Sequence, residues 1–371
     1  MIIKTENLKD VCSKILAALD ANQLSIITET LQLSSSDGYL YLSVTNKEYY
    51  IKVKLELTGE DSINATVDAN KFLNLVAKIT TPDVELMTTE STLIVNANGN
   101  YKFPLVYDND KLLELPEIRI DNVTKEFEIN TNILLSILQY NSKELTRGAI
   151  SKPVQRLYYI DEKGALTFTS GACVNNFTLP TSIKFLLNDR LVKLFKLFNE
   201  PSIKFKLGYD AIADNITQTK VEFASSDVVL TAIIACDDTL LNSVPVLAIR
   251  ARAEKIYPYS INITKEDILQ TINRLLIFST YSKDNIKPYS LFEFTNNSLT
   301  IWDAEKINKE TVSYITTQTD IEYSATLDLV DLKTILESTS DTHITLNFGD
   351  GQAFVLVKGM VSNVIPEVRL I

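Results

Sequence analysis

Loop carboxylates are the residues of this chain whose types could support metal chemistry. Carboxylate oxygens bind divalent cations, and a water activated on such a cation can hydrolyse an ester. The candidates lie between predicted strands and are Asp108 with Asp110, Asp237 with Asp238, and Asp350 in the turn Gly349–Gly351. No base, nucleophile or glycine-rich loop accompanies them. The sequence therefore predicts no catalytic residue, no metal site and no cofactor.

The histidine and the cysteines support the same conclusion. The single histidine, His343, lies in an alternating strand-like stretch, where a lone imidazole is typical of a structural or surface residue. Cys12, Cys173 and Cys236 are far apart and odd in number, which argues against a disulfide framework.

Basic residues on predicted helices are more informative. The helix after Asn188 places Arg190, Lys193 and Lys196 at three-residue intervals beside an apolar series, and such a cationic face suits DNA held by its phosphates. A solvated helix face is the alternative for any one of these bases. The net charge of −11 does not exclude DNA, which responds to the nearest surface within a Debye length of about 8 Å. The predicted DNA-facing residues are Lys14, Lys71, Lys78, Arg147, Arg190, Lys193, Lys196, Arg274 and Lys333, with Lys9, Lys143 and Lys265 on the same helices.

A strand-turn-helix phrase that begins at Met1, Phe127 and Tyr259 organises the rest of the chain. In each copy an apolar/polar alternation changes at a threonine into apolar residues with helical spacing. The predicted helix caps are Thr5, Thr131 and Thr264, followed in each unit by a second cap at Asp68, Asn188 or Asp328.

This order predicts an α+β fold of three repeated domains, at residues 1–119, 120–252 and 253–371, each with two helices packed on antiparallel sheets. Placed side by side, these domains would form one curved sheet with six helices on its concave side. No apolar run is long enough for a membrane span, and the chain begins with a strand pattern, so we expect a cytoplasmic protein with no membrane partner.

The repeated pattern resembles the bacterial sliding clamp, the beta subunit of DNA polymerase III, over the whole chain. The resemblance is carried by the opening phrase, by Thr66–Phe72, by Thr169–Gly171 and by the ending Ile365–Leu370. It implies three clamp-type domains that form half of a ring, and a homodimer that encircles double-stranded DNA without sequence preference. It also implies a DNA polymerase catalytic subunit as a tethered partner, a separate clamp loader and no catalysis.

The same resemblance implies two further sites. Partner peptides would bind a pocket between the middle and last domains, formed by Thr169, Gly171, Val174, Pro245, Arg250, Ile365, Pro366, Val368 and Arg369. Ring closure would use Ile277 and Phe278 of one copy and an edge strand of the other that carries Tyr101 and Phe103. The chain departs from the family pattern at Thr169–Val174 and has one more residue between proline and arginine at its end, so its peptide preference is expected to differ.

Two other interpretations stay open on the sequence alone, and a third is disfavoured by the domain count. One is a three-domain binding or scaffold protein that never encircles DNA, and another is a metal-dependent hydrolase that uses the loop aspartates. A trimeric clamp of the eukaryotic kind would need about two domains per chain, whereas this chain has three predicted ones.

Overall fold

The computed structural model describes residues 1–19, 25–57, 62–147, 150–180, 182–213, 216–234, 238–278, 289–339 and 341–367. The first predicted domain contains β1 (Ile2–Lys4), α1 (Thr5–Ala18), α2 (Ile26–Glu29), β2 (Thr30–Ser36), β3 (Tyr39–Thr45), β4 (Tyr49–Glu56), β5 (Asn64–Asp68), α3 (Ala69–Lys78), β6 (Asp83–Thr88), β7 (Thr92–Asn96), β8 (Asn100–Pro104), β9 (Tyr107–Asp108) and β10 (Lys111–Leu112).

The middle of the chain contains β11 (Val123–Asn130), α4 (Thr131–Ser136), a π turn (Ile137–Asn141), α5 (Ser142–Leu145), a 3-10 turn (Pro153–Arg156), β12 (Leu157–Asp161), β13 (Gly164–Phe168), β14 (Ala172–Asn176), β15 (Lys184–Asn188), α6 (Asp189–Lys193), a 3-10 turn (Leu194–Leu197), β16 (Ser202–Ala213), β17 (Ile216–Ala224), β18 (Val228–Ile234), α7 (Asp238–Ser243) and α8 (Val246–Ala253).

The last third contains β19 (Tyr259–Thr264), α9 (Lys265–Leu275), β20 (Tyr289–Thr295), β21 (Ser298–Trp302), β22 (Lys309–Ser313), β23 (Glu322–Asp328), α10 (Leu329–Glu337), β24 (His343–Phe348), β25 (Ala353–Lys358) and β26 (Val361–Pro366). No helix within the described ranges is long and apolar enough to cross a membrane.

The chain divides into two compact units. Unit 1 is Met1–Asn132 with Lys193–Ala235, and unit 2 is Ile133–Val192 with Cys236–Ile371. Each unit has a four-stranded and an eight-stranded antiparallel sheet, so the predicted α+β class with antiparallel sheets is confirmed. The domain boundaries at 119 and 252 stay predictions.

Unit 1 is built around the eight-stranded sheet β11-β16-β17-β18-β4-β3-β2-β5. Buried and half-exposed side chains alternate along its strands and distinguish an apolar face from a polar one. In β4, for example, Ile51 and Val53 are buried, whereas Lys52 and Lys54 on the other face are half-exposed. Helices cover the apolar face with buried side chains at helical spacing, namely Leu8, Val11, Cys12 and Ile15 of α1 and Phe72, Leu73 and Val76 of α3.

Unit 2 is built around the sheet β15-β12-β13-β14-β26-β25-β24-β19 and the smaller sheet β22-β21-β20-β23. Its core contains closely packed aromatic rings, with the Phe294 and Phe348 centroids 4.2 Å apart and the Phe348 and Phe354 centroids 5.1 Å apart. Buried residues of α9 and α10 complete this core and are Ile268, Ile272, Leu275, Leu332, Ile335 and Leu336.

The predicted caps of the second helices are confirmed. Backbone N–H groups donate to Asp68 from Lys71, to Asn188 from Leu191, and to Asp328 from Val330 and Asp331.

The predicted threonine caps are wrong as side-chain caps. Thr5 and Thr131 are the first residues of their helices, and their buried hydroxyls have no hydrogen-bond partner among the residues that the structure describes. Asn130 caps α4 instead, because its Oδ1 accepts from the Asn132 N–H at 2.8 Å. Thr264 is at the cap position of α9, but its side chain makes no capping bond.

A linker, residues 113–122, packs across unit 1 next to Gly208 of β16. A Cβ at Gly208 would lie 2.2 Å from Cγ2 of Ile120 and 2.6 Å from the carbonyl oxygen of Asn122, so only glycine permits this approach. Lys220 donates to the Arg119 carbonyl at 2.8 Å, and Asp210 accepts from the Asn122 N–H at 2.9 Å. These contacts fix the linker on the sheet.

Gly208→Ala should therefore lower the free energy of unfolding by about 2 to 3 kcal/mol, because the new methyl group must displace backbone. Urea denaturation followed by circular dichroism measures the change. Gly99→Ala is the matched control, since its Cβ would meet only the Tyr101 ring at 3.3 Å and should cost less than about 1 kcal/mol. Equal unfolding midpoints for the two variants would contradict this account of the linker.

Candidate functional site

A groove of about 440 Å³ opens on unit 2, between the start of β14, helix α8 and the end of β26. Strand pairing explains why these segments meet, because Ala172 is the register partner of Val364 and Ala353 that of Pro366. The lining is mostly apolar, with two polar side chains and one charged one, and consists of Ser170, Gly171, Ala172, Ala248, Ile249, Arg252, Gln352, Ala353, Val364 and Pro366.

Gly171 permits the close approach that forms one wall of this groove. A Cβ there would lie 2.4 Å from the carbonyl oxygen of Val364 and 3.1 Å from Nη2 of Arg147. The preceding Thr169 is held by Glu144, whose Oε1 accepts from the Thr169 hydroxyl at 2.7 Å and from its N–H at 3.2 Å. These hydrogen bonds from Thr169 to Glu144 hold the turn at the groove wall in place.

Glu144 and Arg147 form a buried ion pair beneath that turn. The side chain of Arg147 is 1% exposed and that of Glu144 is 0% exposed, and Nη2 of Arg147 lies 3.6 Å from Asp331. Burial raises the pKa of Glu144, while the Arg147 guanidinium and the Thr169 hydroxyl oppose that rise. The prediction that Arg147 faces DNA is therefore wrong, because its charge is enclosed and shared with two carboxylates.

Asp350 supports the opposite edge of the groove. Its carboxylate lies 2.8 Å from Nζ of Lys255 and accepts from the N–H groups of Gln352 and Ala353 at 2.9 and 3.0 Å. Burial opposes ionisation of Asp350, but these hydrogen bonds and the Lys255 charge together hold its pKa below the usual range.

The loop aspartates are not grouped as metal ligands in the part of the chain that the structure describes. No cluster of three or more His, Cys, Asp or Glu side chains occurs there with a geometry that could hold a metal ion. Asp237 lies outside the described residues.

The predicted pocket residues occupy different places. Gly171 and Pro366 line the groove, whereas Val174 and Ile365 are 1% exposed and belong to the core beneath it. Thr169 lies behind the wall, bonded to Glu144. Val368 and Arg369 lie outside the described residues.

Pro245 and Arg250 line a second cavity of unit 2, of about 580 Å³, and not the groove. Arg250 is engaged there by Asp161, with both N–O distances at 2.7 Å.

The predicted DNA-facing residues divide by exposure and pairing. Lys71, Lys78, Lys193 and Lys196 are exposed, and Arg190 and Lys333 are half-buried. The prediction for Lys14 is wrong, because its side chain is only 11% exposed and lies 3.0 Å from Asp10 and 2.7 Å from Asp227. Arg274 is exposed but is held by Glu310, which accepts from its Nε at 2.8 Å.

The predicted ring-closure residues are mostly accessible. Ile277 and Phe278 are 74% and 52% exposed after α9, so they are not core residues. Strand β8 is an edge of its sheet and carries Tyr101, which is half-buried. Phe103 on the same strand is a core residue, 8% exposed and packed on Phe72 with ring centroids 5.7 Å apart.

Comparisons with known proteins converge on one fold. No protein-family model matches the chain. The beta sliding clamp of Helicobacter pylori strain J99 is 22% identical over 242 residues, a match that covers 58% of this chain and 60% of that protein, less than two thirds of its length. The solved DnaN sliding clamp (DNA polymerase III subunit beta) of Pseudomonas aeruginosa, bound to griselimycin, has a TM-score of 0.80 and 13% identity, over 100% of this chain and 99% of that one. The chain has the sliding-clamp fold.

Other sliding clamps agree with this assignment. The DNA polymerase sliding clamp of Bacillus subtilis has a TM-score of 0.78 at 14% identity, over 100% of this chain and 99% of that one. The Helicobacter pylori beta clamp in complex with 3,4-difluorobenzamide has a TM-score of 0.76 at 16% identity, with 100% of both chains covered. The predicted resemblance and the predicted sliding-clamp fold class are confirmed. The expectation of one curved sheet is wrong, because the described strands form two eight-stranded sheets, two four-stranded sheets and a two-stranded one.

Within this sliding-clamp fold, sequence reasoning missed the wall of the groove that α8 supplies. Helices α7 and α8 were not predicted, although Val246, Ile249 and Ala253 have helical spacing and pack on the apolar cluster of Val174 and Tyr159. Arg252 of α8 was missed for the same reason.

Asp350→Asn should lower the free energy of unfolding by about 1 to 2 kcal/mol at pH 7, because the Lys255 charge loses its carboxylate. A depressed carboxyl pKa stabilises the fold above the unfolded-state pKa of about 3.9 and loses that effect as the pH falls through the folded-state pKa. The difference between wild type and variant should therefore shrink below about pH 4. Urea denaturation at pH 7 and pH 3.5 measures this difference in the free energy of unfolding.

Asp341→Asn removes an exposed carboxylate of the same unit and is the matched control, expected to stay within about 0.5 kcal/mol of wild type. A pH-independent difference for Asp350→Asn would exclude the ion pair as the cause.

Proposed function

We propose that this chain is one subunit of a DNA sliding clamp, a ring that encircles duplex DNA and tethers a DNA polymerase. The observation that carries the proposal is the full-length correspondence with solved clamps, which covers 99 to 100% of both chains at TM-scores of 0.76 to 0.80. In this role the chain performs no chemistry. It raises the effective concentration of the polymerase at the DNA, from which processivity follows.

DNA contact in this proposal uses exposed lysines. Lys71 and Lys78 lie on α3, and Lys193 and Lys196 lie on α6 and the turn after it, with exposed side chains. Contacts of ammonium groups with phosphates are independent of base sequence and weaken with salt, as a ring that moves along DNA requires.

Ring closure in this proposal joins two copies head to tail. The apolar side chains of Ile277 and Phe278 on one copy would be covered by the other copy, whose edge strand β8 would gain a pairing partner. Dimerisation would thereby remove an exposed apolar pair and an unpaired strand edge, both of which favour aggregation in a monomer.

Partner recruitment in this proposal uses the groove of unit 2. Its mostly apolar lining suits a short peptide with apolar side chains. The Arg252 guanidinium at its border lies 3.5 Å from Asp350 and donates to Gln352. A polymerase catalytic subunit and a clamp loader would compete for this groove, and the cytoplasm is the compartment in which these partners occur.

The first test uses ring topology. Light scattering should give wild-type protein twice the chain mass of 41.7 kDa, because the apolar contact closes the ring. Dimer assembled from dilute chains on nicked circular DNA should be retained through gel filtration and released when the circle is linearised. Ile277→Asp/Phe278→Asp should be monomeric and not retained.

A charge variant distinguishes the loss of DNA contact from the loss of ring closure. Lys193→Glu/Lys196→Glu should stay dimeric but assemble on the circle several-fold less, whereas Lys125→Glu/Lys204→Glu, which changes exposed lysines on β11 and β16 by the same charge, is the control. A wild-type monomer, or retention that does not depend on topology, would refute the clamp and favour a scaffold protein.

The second test uses griselimycin, the ligand of the Pseudomonas aeruginosa clamp structure. We expect wild type to bind it in the groove and Ala248→Trp to bind at least about tenfold more weakly, because the indole fills the site. Ala248 is exposed on α8, so the fold should tolerate the change. Isothermal titration calorimetry measures the affinity.

Leu247→Trp is the matched control, because Leu247 is 87% exposed and lines only the second cavity. Equal griselimycin affinity for both tryptophan variants, or no binding to wild type, would contradict the assignment of the groove.

A further inference from the structure

A second kind of groove lies on unit 1, on the sheet face away from α1 and α3. It has a volume of about 540 Å³ and is bounded by β4, β18 and the 113–122 linker. Its floor includes Tyr41, Tyr50 and Val229, and Ile118 of the linker forms one wall. The contacts of Gly208, Asp210 and Lys220 with the linker, described above, keep that wall in place.

Two lysines of β4, Lys52 and Lys54, line this groove. Lys52 Nζ lies 4.6 Å from the ring centroid of Tyr41, and Lys54 Nζ lies 4.6 Å from that of Tyr39. These diagonal contacts follow from the β3–β4 register, in which Tyr41 pairs with Lys54 and Ser43 with Lys52. Within the described ranges, neither ammonium group donates a hydrogen bond or forms an ion pair. Each charge is held in position but is not neutralised.

The carboxylates of the groove are all engaged by other cations. Glu117 accepts from Nε of Arg119 at 2.7 Å, and Glu222 lies 2.8 Å from Nζ of Lys206. Asp227 lies 2.7 Å from Nζ of Lys14. Lys52 and Lys54 are therefore the available charges of the groove, and they favour an anionic ligand.

The spacing of these lysines indicates the form of that ligand. Alternate residues on one face of a strand are about 7 Å apart, and an extended peptide presents its own alternate side chains at the same interval. Carboxylates at positions i and i+2 of an extended segment can thus meet the two ammonium groups together. The tyrosines and Val229 offer apolar surface to the residues between and beside them.

A nucleic-acid strand fits the groove less well. A polyanion with a phosphate at every step would meet the carboxylates of Glu117, Glu222 and Asp227, which line the same groove. A discrete pair of negative charges can contact Lys52 and Lys54 and leave these carboxylates paired. The charge pattern thus favours a short acidic segment of protein.

We propose that this groove of unit 1 binds an extended acidic peptide, with carboxylates at alternate positions held by Lys52 and Lys54 above Tyr41 and Tyr39. The site goes beyond the proposed clamp function and does not depend on it. It would add to the chain a second peptide-binding surface, selective for charge, whereas the groove of unit 2 is selective for apolar side chains.

The test uses the full chain and a fluorescein-labelled peptide with the core Thr-Glu-Val-Glu-Thr, compared with its Thr-Gln-Val-Gln-Thr analogue. Fluorescence anisotropy should show that the Glu peptide binds wild type about tenfold more tightly than it binds Lys52→Gln/Lys54→Gln. Added salt should weaken the binding of the Glu peptide to wild type. The Gln peptide should bind all proteins as weakly as the double variant binds the Glu peptide. Carbodiimide coupling followed by mass spectrometry should link the Glu peptide to Lys52 or Lys54.

Two further variants control for charge and for folding. Lys125→Gln/Lys204→Gln removes the same charge from β11 and β16 of the same sheet and should bind the Glu peptide like wild type. Lys52→Arg/Lys54→Arg keeps both charges and should retain affinity within about twofold.

Equal binding of the Glu and Gln peptides would overturn the proposal, as would unchanged affinity in Lys52→Gln/Lys54→Gln or coupling only to other lysines. Tighter binding of ten-residue oligothymidine, with displacement of the Glu peptide, would also overturn it and assign the groove to single-stranded nucleic acid. DNA retention and griselimycin binding play no part in these measurements, so the clamp proposal and this one can fail separately.

Discussion

Antiparallel pairing between strands that are distant in sequence is the constraint on which both grooves depend. In unit 2, the ladder from Ala172↔Val364 to Asn175↔Val361 joins β14 to β26 and sets the width of the apolar groove. In unit 1, the ladder from Val228↔Val53 to Ala232↔Tyr49 joins β18 to β4 and places Lys52 beside Val229. Backbone hydrogen bonds fix these distances more tightly than side-chain packing could, because the register of a ladder cannot change by less than two residues without turning the buried face outward.

The sequence predicted local features of this fold and failed where a side chain depends on a distant partner. Asp68, Asn188 and Asp328 could be predicted as caps because a short carboxylate or amide oxygen reaches an N–H two or three residues away. The threonines failed because the hydroxyls of Thr5 and Thr131 are buried one residue inside their helices. A one-residue shift is invisible in a hydrophobic pattern, whose helical period tolerates it.

In the candidate sites, too, some residues could be predicted from the sequence and others could not. Gly171 and Pro366 came from the family resemblance and do line the groove, but Ala248, Ile249 and Arg252 were missed with their helix. Among the bases, Lys193 and Lys196 are exposed as predicted. Lys14 and Arg147 instead form ion pairs with Asp227 and Asp331 and have little exposed surface. Each base also has a carboxylate one helical turn away, Asp10 for Lys14 and Glu144 for Arg147. Asp227 and Asp331, however, lie 213 and 184 residues away along the chain, so helical spacing could identify only the local half of the pairing.

Ion pairing also explains how an acidic chain can present separate cationic surfaces. The net charge of −11 counts every base equally, yet a base that shares its charge with a neighbouring carboxylate contributes little to the field a few ångströms away. Arg147, Lys14 and Arg274 belong to that group, and Lys52 and Lys54, held by aromatic rings, do not. Contact with an aromatic ring orients an ammonium group and leaves its net charge in place, whereas contact with a carboxylate cancels it. Anion binding at a given surface is therefore governed by which bases have an acid as their nearest neighbour.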